Sequence, residues 1–237
     1  KPKKSLSQNF LIDKNISKKI VSQTNIQNKN VLEIGPGYGF LTESILEKNP
    51  KKIFLIEKDN NLKKKLYFKY KNNRKVEIIG DDILETNLEK YQNLIIISNL
   101  PYNLSSKIIL YLFNYNKNIK EMIFMIQKEM SLKFDYELPN MNKYKFFTKL
   151  SSDYNRCFNV SSNVFFPRPK VKSAIVKFKL HKKKIDFDKA NNFSRIIFKN
   201  IRKKINNRIK INLNKEILNK RVDQLSIDEL LSIYNLF

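Results

Sequence analysis

Val31-Leu32-Glu33-Ile34-Gly35-Pro36-Gly37-Tyr38-Gly39 limits the fold of this chain more than any other stretch. Its first four residues form a short apolar run suited to a buried strand. Beyond the turn, Leu41, Ile45 and Leu46 recur at helical spacing. Strand, glycine turn and helix N-terminus together make the nucleotide-binding unit of an open α/β sheet. The spacing narrows the nucleotide. A dinucleotide fingerprint needs its third glycine where Phe40 stands. Gly-x-Gly-x-Gly after an acidic strand residue is instead the pattern of S-adenosylmethionine sites, where no pyrophosphate has to be held.

Further strand-like runs follow. Ile53-Phe54-Leu55-Ile56 ends in Glu57, 18 residues beyond Gly39. An acid there is placed to accept hydrogen bonds from ribose hydroxyls. Val76-Glu77-Ile78-Ile79 runs into Gly80-Asp81-Asp82, where either carboxylate could accept from an adenine amino group or close an Asx-turn. Leu94-Ile95-Ile96-Ile97 is the fourth strand, and Ser98-Asn99-Leu100-Pro101-Tyr102-Asn103 ends it. Pro101 takes the chain out of the sheet, and ligands of open α/β sheets bind outside the carboxyl ends of the strands. An amide, a rigid carbonyl and an aromatic face therefore meet at the working edge. They suit a flat base with an exocyclic amine: Asn99 Oδ1 accepts one N–H, a backbone carbonyl near Pro101 accepts the other, and Tyr102 stacks on the ring.

The rest of the chain frames these stretches. Residues 1–7 are basic and expected to be flexible. Asp13 is placed to cap a helix with Ile16, Ile20 and Val21 on one face. Asn9 and Leu11 either belong to the docking of that helix or lie over the cofactor mouth. Residues 62–70 read as a basic helix with a solvated face, and Ser105 as the cap of a helix carrying Ile108, Ile109, Leu112 and Phe113. A fifth strand over 122–126 and a helix over 127–134 precede a loop over 135–149 on the active face. Two last strands, 158–162 and 173–180, are joined by a proline-stiffened link whose Phe165 and Phe166 offer core packing or a second stacking surface. After His181-Lys182-Lys183-Lys184 the periodicity is helical and the composition basic, which divides the chain into domains 1–181 and 182–237.

Composition bounds the partner. The 237 residues, 41% apolar, suffice for one large domain and a small appendage. Lys and Arg number 47 against 22 acids, and the net charge of +25 favours a polyanion, either nucleic acid or an anionic membrane. Heavy use of Lys, Asn and Ile fits an AT-rich genome, so the sign of the charge counts for more than its size. No apolar run approaches the roughly 18 residues of a membrane span, and no secretory signal is expected. Cys157 is the only cysteine and His181 the only histidine, which argues against a disulfide, a cysteine metal cluster and a histidine-based triad or zinc site.

Five motifs in order carry a resemblance: Gln8-Asn9-Phe10-Leu11, Glu33-Ile34-Gly35-Pro36-Gly37, Asn99-Leu100-Pro101-Tyr102-Asn103, Gln127-Lys128-Glu129, and Phe165-Phe166-Pro167-Arg168-Pro169-Lys170-Val171. From about residue 5 onward the chain resembles the ribosomal RNA adenine N6-dimethyltransferases, most closely the small-subunit enzymes. Phe198-Lys199-Asn200-Ile201-Arg202-Lys203-Lys204 and Arg221-Val222-Asp223-Gln224-Leu225-Ser226 are similar to that family's tail. This favours the small-subunit enzyme over the large-subunit dimethyltransferases and over a non-catalytic nucleic-acid-binding relative.

The resemblance implies a Rossmann-like class I methyltransferase fold, with a seven-stranded mixed sheet and a small C-terminal all-helical domain. It implies N6,N6-dimethylation of two adjacent adenosines in a loop near the 3′ end of small-subunit ribosomal RNA. S-adenosylmethionine would be the methyl donor, without a metal. The protein would act as a monomer on a small-subunit particle, in a bacterial-type cytoplasm or an organelle matrix, with no membrane. Catalytic roles would fall to Asn99, Pro101 and Tyr102. Cofactor contacts would fall to Asn9, Leu11, Gly35, Gly37, Glu57, Asp82 and Asn99, Asp82 being preferred to Asp81 because Asp82-Ile83-Leu84 fits the family pattern. Substrate contacts would fall to Tyr102, Phe165, Arg202 and Lys203. Two positions depart from the pattern: Ile201 replaces an arginine of the tail, and Thr148 stands near the place of a glycine before Leu150-Ser151.

Overall fold

The computed structural model describes residues 9–79 and 82–237; residues 1–7, Gln8, Gly80 and Asp81 lie outside the described residues. The strands are β1 (Phe10–Leu11), β2 (Asn30–Ile34), β3 (Lys52–Ile56), β4 (Val76–Ile78), β5 (Leu94–Asn99), β6 (Ile119–Gln127), β7 (Ser152–Val160), β8 (Phe165–Phe166) and β9 (Ser173–Leu180). Seven of them form one mixed sheet in the order β4-β3-β2-β5-β6-β9-β7. The first five run parallel, and β9 is antiparallel to both β6 and β7. The short β1 and β8 pair separately, Phe10 with Phe166 and Leu11 with Phe165. This is the seven-stranded Rossmann-like sheet that the sequence led one to expect.

Parallel strands with both faces covered read as continuous apolar runs, and the alternation is visible in the packing. Leu32 and Ile96 face one core, Val31 and Ile95 the other. The second core is closed by α1 (Lys14–Val21), α2 (Phe40–Leu46) and α3 (Asn60–Tyr70). Asp13 caps α1 as expected, accepting from the Ile16 amide at 2.9 Å. The first core is closed by α4 (Ser105–Phe113), α5 (Lys128–Phe134) and α6 (Lys143–Ser151), then by α7 (Phe187–Phe198), α8 (Lys215–Asn219) and α9 (Ile227–Leu236).

Three local expectations change. Residues 143–151 are helix, not loop: the Asn142 carboxamide accepts from the Tyr144 and Lys145 amides, and Phe146, Phe147 and Leu150 bury one face. Pro139 lies outside the helix and does not break it. Thr148 sits inside α6, where its hydroxyl donates to the Tyr144 carbonyl at 2.7 Å. β7 covers 152–160 rather than 158–162, and it stops at Val160 because residues 162–164 turn away in a single 3-10 turn. Ser105 is the first residue of α4, not its cap, and its hydroxyl turns back to the Tyr102 carbonyl at 3.1 Å.

Phe146 joins the C-terminal helices to the sheet. It is fully buried, with ring centroids 5.2 Å from Phe193 on α7 and 5.2 Å from Tyr234 on α9. Aromatic edge-to-face pairs add to the transfer energy of such rings. Phe146→Ala should therefore destabilise the protein by about 3–5 kcal/mol. Urea denaturation checks this; a loss below about 1 kcal/mol would show that the C-terminal helices are held by something else.

Candidate active site

The strands step outward from β2 through β3 to β4 on one side, and from β5 to β6 on the other. β2 and β5 are thus the neighbours at which strand order reverses, where open α/β sheets leave a crevice. Their ladder pairs Val31 with Ile95 and Leu32 with Ile96. Two residues on, the Ile34 N–H donates to the Ser98 hydroxyl at 2.7 Å rather than to a carbonyl. The cleft that opens there is lined by Glu33, Gly35, Gly37, Glu57, Asp82, Asn99, Leu100, Pro101 and Tyr102, with Asn9, Phe10 and Leu11 across it.

The glycine turn gives this cleft its floor. Gly35 donates to the Ile56 carbonyl at 2.8 Å and takes φ +63°. A Cβ on Gly35 would meet nothing within 4 Å, so the missing side chain leaves space for a ligand. Gly37, at φ +60°, has no such room, because a Cβ would lie 2.8 Å from the Phe10 ring. Phe10 also packs edge-on against Tyr38, with centroids 4.7 Å apart.

Two buried carboxylates face this floor. Glu57 accepts from the Gly37 amide at 3.1 Å and the Asp59 amide at 2.9 Å. Burial raises its pKa against the opposing effect of those bonds. A carboxylate has about four acceptor sites, so both oxygens keep capacity for a ligand hydroxyl. Glu33 accepts from the Thr42 hydroxyl at 2.6 Å, and burial pushes its pKa up to about 8. A ligand that carries positive charge would in turn favour the ionised form of both desolvated acids.

Asn99 ends β5 at the other wall. Its Nδ2 donates to the Asn9 carbonyl at 2.9 Å, which fixes the amide with Oδ1 as its remaining acceptor. Leu100 donates its N–H to the Met125 carbonyl at 3.2 Å, and the Pro101 carbonyl accepts from Leu104 at 3.1 Å. Of the two carbonyls flanking Pro101 nitrogen and ring, the Leu100 oxygen is the one without a hydrogen bond among the described residues. The Tyr102 ring is held by a 2.6 Å bond between its hydroxyl and the Ser173 hydroxyl.

Asp82 follows β4 at the cleft edge. Burial pushes its pKa up, but the ion pair with Lys58 at 2.8 Å and the Leu84 amide outweigh this and hold it below the ordinary value. The remaining expected residues lie elsewhere. Phe165 is 3% exposed and packs in the second core, while Phe166 is 63% exposed; neither lines the cleft. Strand alternation in the β1–β8 pair decides which ring turns inward, so the Phe165 ring offers no open face for a base in this conformation. Arg202 and Lys203 are exposed in the turn after α7. Sequence reasoning did not identify Phe10, Tyr38 and Ser173 as parts of the site. Phe10 belongs to the Gln8-Asn9-Phe10-Leu11 motif, but nothing local signals its packing against Gly37. No group of metal-ligating side chains occurs among the described residues, and no helix there is long and apolar enough to cross a membrane.

The chain matches a model of the family described as ribosomal RNA adenine dimethylase over residues 1–237. It is 34% identical over 238 residues to a Ribosomal RNA small subunit methyltransferase A of Hydrogenobaculum sp. (strain Y04AAS1), covering 99% of this chain and 93% of the relative. It is 41% identical over 186 residues to the protein of that name from Pelagibacter ubique (strain HTCC1062), covering 75% and 70%. Among solved structures, a dimethyladenosine transferase from Plasmodium falciparum superposes with a TM-score of 0.79 at 24% identity, over 95% of this chain and 97% of the other.

Glu33 makes stability depend on pH. Its folded pKa of about 8 exceeds the ordinary 4.5, so between those values the folded state holds a proton that the unfolded state releases. Stability should fall as pH rises through that window, by a few kcal/mol in total. Glu33→Gln should remove the loss. In cofactor-free protein, the melting temperature of the variant should match wild type near pH 4.5 and exceed it increasingly towards pH 8. A constant difference across the range would mean that Glu33 is ionised throughout.

Proposed function

The chain belongs to the ribosomal RNA adenine dimethylase family, and from that premise we propose that it dimethylates N6 of adenosines in small-subunit ribosomal RNA, using S-adenosylmethionine as donor. The finer reading is two adjacent adenosines in a loop near the RNA 3′ end, modified on a small-subunit particle by a monomer in a bacterial-type cytoplasm. The carrying observation is the Asn99 amide, turned by the Asn9 carbonyl so that its oxygen, in a cleft with two buried acids, has no hydrogen bond among the described residues.

The residues present fit the methyl donor. Gly35 leaves open space, Glu57 can accept from ribose hydroxyls, and a bound cation would favour ionisation of Glu33 and Glu57. Asp82 keeps acceptor capacity for an adenine amino group beside its exposed partner Lys58. Leu11 and Asn9 would close over the ligand. When bound, S-adenosylmethionine supplies an activated methyl group on a sulfonium.

The chain's task is then to prepare the nucleophile. The lone pair of an adenine N6 is delocalised into its ring. Asn99 Oδ1 and the Leu100 carbonyl are two acceptors for the two N–H groups of that amine. Drawing both hydrogens to one side favours a pyramidal nitrogen with its lone pair turned to the donor. Alignment of this kind carries much of the rate, and fixed acceptors stabilise the positive charge that develops on N6. The acidified N6 proton leaves to water. Tyr102 offers its held ring to the base, which enters the cleft unstacked. Arg202 and Lys203 would grip phosphates without reading sequence.

Transfer of labelled methyl groups to small-subunit RNA, located by primer extension, tests the reading; no transfer by folded protein would end it. Asn99→Ala should slow the single-turnover rate by about 10²–10³-fold, and a rate within a few-fold of wild type would remove Asn99 from the mechanism. Glu57→Gln keeps an acceptor for Gly37 but weakens the ribose site. Calorimetry should show S-adenosylmethionine affinity lower by about 1.5–3 kcal/mol, and unchanged affinity would take Glu57 out of the site.

A further inference from the structure

We propose that the outer face of α3 is a second nucleic-acid contact, on which unpaired RNA bases stack outside the cleft. The helix buries Leu62, Leu66 and Tyr70 at every fourth position. Its opposite side presents Lys64, Tyr67, Phe68 and Lys71, all exposed. Tyr67 is 62% and Phe68 68% exposed, and their centroids lie 6.0 Å apart at 77°. Edge-on rings leave each other's outer faces uncovered. An exposed phenylalanine beside an exposed tyrosine forgoes burial that the adjacent core would offer, and exposed apolar patches of this kind mark interaction sites.

Charge identifies the occupant. Residues 60–76 carry six lysines and one arginine and no carboxylate. Lys69 is spent on Glu43, and Lys65 lies over the Tyr38 ring. Among the described residues, Lys64 and Lys71 have no carboxylate partner. Aromatic faces interleaved with free cations are the combination that holds single-stranded nucleic acid. A membrane is a poorer fit, because an interfacial helix needs its broad apolar stripe free, and the stripe of α3 is buried. A protein partner would need more apolar area than two rings.

Position links the face to the cleft. Leu62 lines the cleft, and Phe68 lies six residues further along α3, a rise of about 9 Å along the helix axis at 1.5 Å per residue, on the outer side of the helix. Tyr38, also in the cleft lining, accepts from Lys69 through its carbonyl at 3.0 Å. The choice of RNA rests on the ribosomal RNA reading above; the aromatic platform itself does not.

The full chain should be titrated with a labelled single-stranded oligouridylate, alongside Tyr67→Ser/Phe68→Ser and Lys64→Ala/Lys71→Ala double variants. All four positions are exposed, so both variants should fold. The aromatic variant should lose about tenfold or more in affinity at an unchanged salt slope, because stacking releases no counterions. The lysine variant should lower the slope of log K against log salt by about 1.4, or 0.7 per lost contact. A 4-thiouridine photocrosslink should map to Tyr67 or Phe68. Wild-type affinity in both variants, with crosslinks elsewhere, overturns the proposal. So does binding to phosphatidylserine vesicles that the aromatic variant alone loses while its RNA affinity stays unchanged. Absence of methyl transfer by wild type would instead strike the enzyme reading and leave these binding results standing.

Discussion

The parting of β2 from β5 is the constraint on which the rest depends. Both are central strands, buried on both faces, and their backbones must stay paired or find substitutes. The ladder holds at Leu32 and Ile96, and then the Ser98 hydroxyl takes over for the Ile34 amide. That substitution lets two hydrophobic strands diverge without leaving an unpaired amide in the core. The glycine turn and Glu33 hang from one of the ends so separated and Asn99 from the other, while Glu57 and Asp82 reach the cleft from beyond β3 and β4.

A second layer of chain completes what the sheet begins. β1 and β8 come from sequence positions more than 150 residues apart and pair by only two residues each. The short ribbon nevertheless does three things. It brings the Asn9 carbonyl to Asn99 across a separation of 90 residues, sets the Phe10 ring against Gly37, and turns Phe165 into the core. The orientation of the Asn99 amide is therefore a property of the N-terminal segment as much as of the strand that carries it. The Tyr102 hydroxyl is tied in the same way, to Ser173 at the start of β9.

The C-terminal helices are built into one of the two cores. Phe193, Ile197, Leu230 and Tyr234 belong to the same apolar cluster as Leu32 and Ile96, with α6 between them. The cations of that region, such as Arg202 and Lys203, stay at the surface while its apolar residues fill the core. Basic side chains can thus accumulate on the outside without weakening the scaffold beneath the cleft.

The sequence by itself determined the βα units and the cleft at their carboxyl ends. The physical signals were local: β-branched runs, a glycine turn, and acids at strand ends. Gly35, Glu57 and Asn99 could be picked out because strand polarity alone places them at one edge. Residues 135–149 misled because Pro139, Asn140 and Asn142 are local turn signals, whereas helix formation begins at Asn142 and draws on Phe146 meeting the distant Phe193 and Tyr234. Tertiary structure also decided which of Phe165 and Phe166 is buried and which way the Asn99 amide faces. Each of these depends on a partner far away in the chain, and burial and hydrogen-bond direction cannot be read from neighbours in sequence.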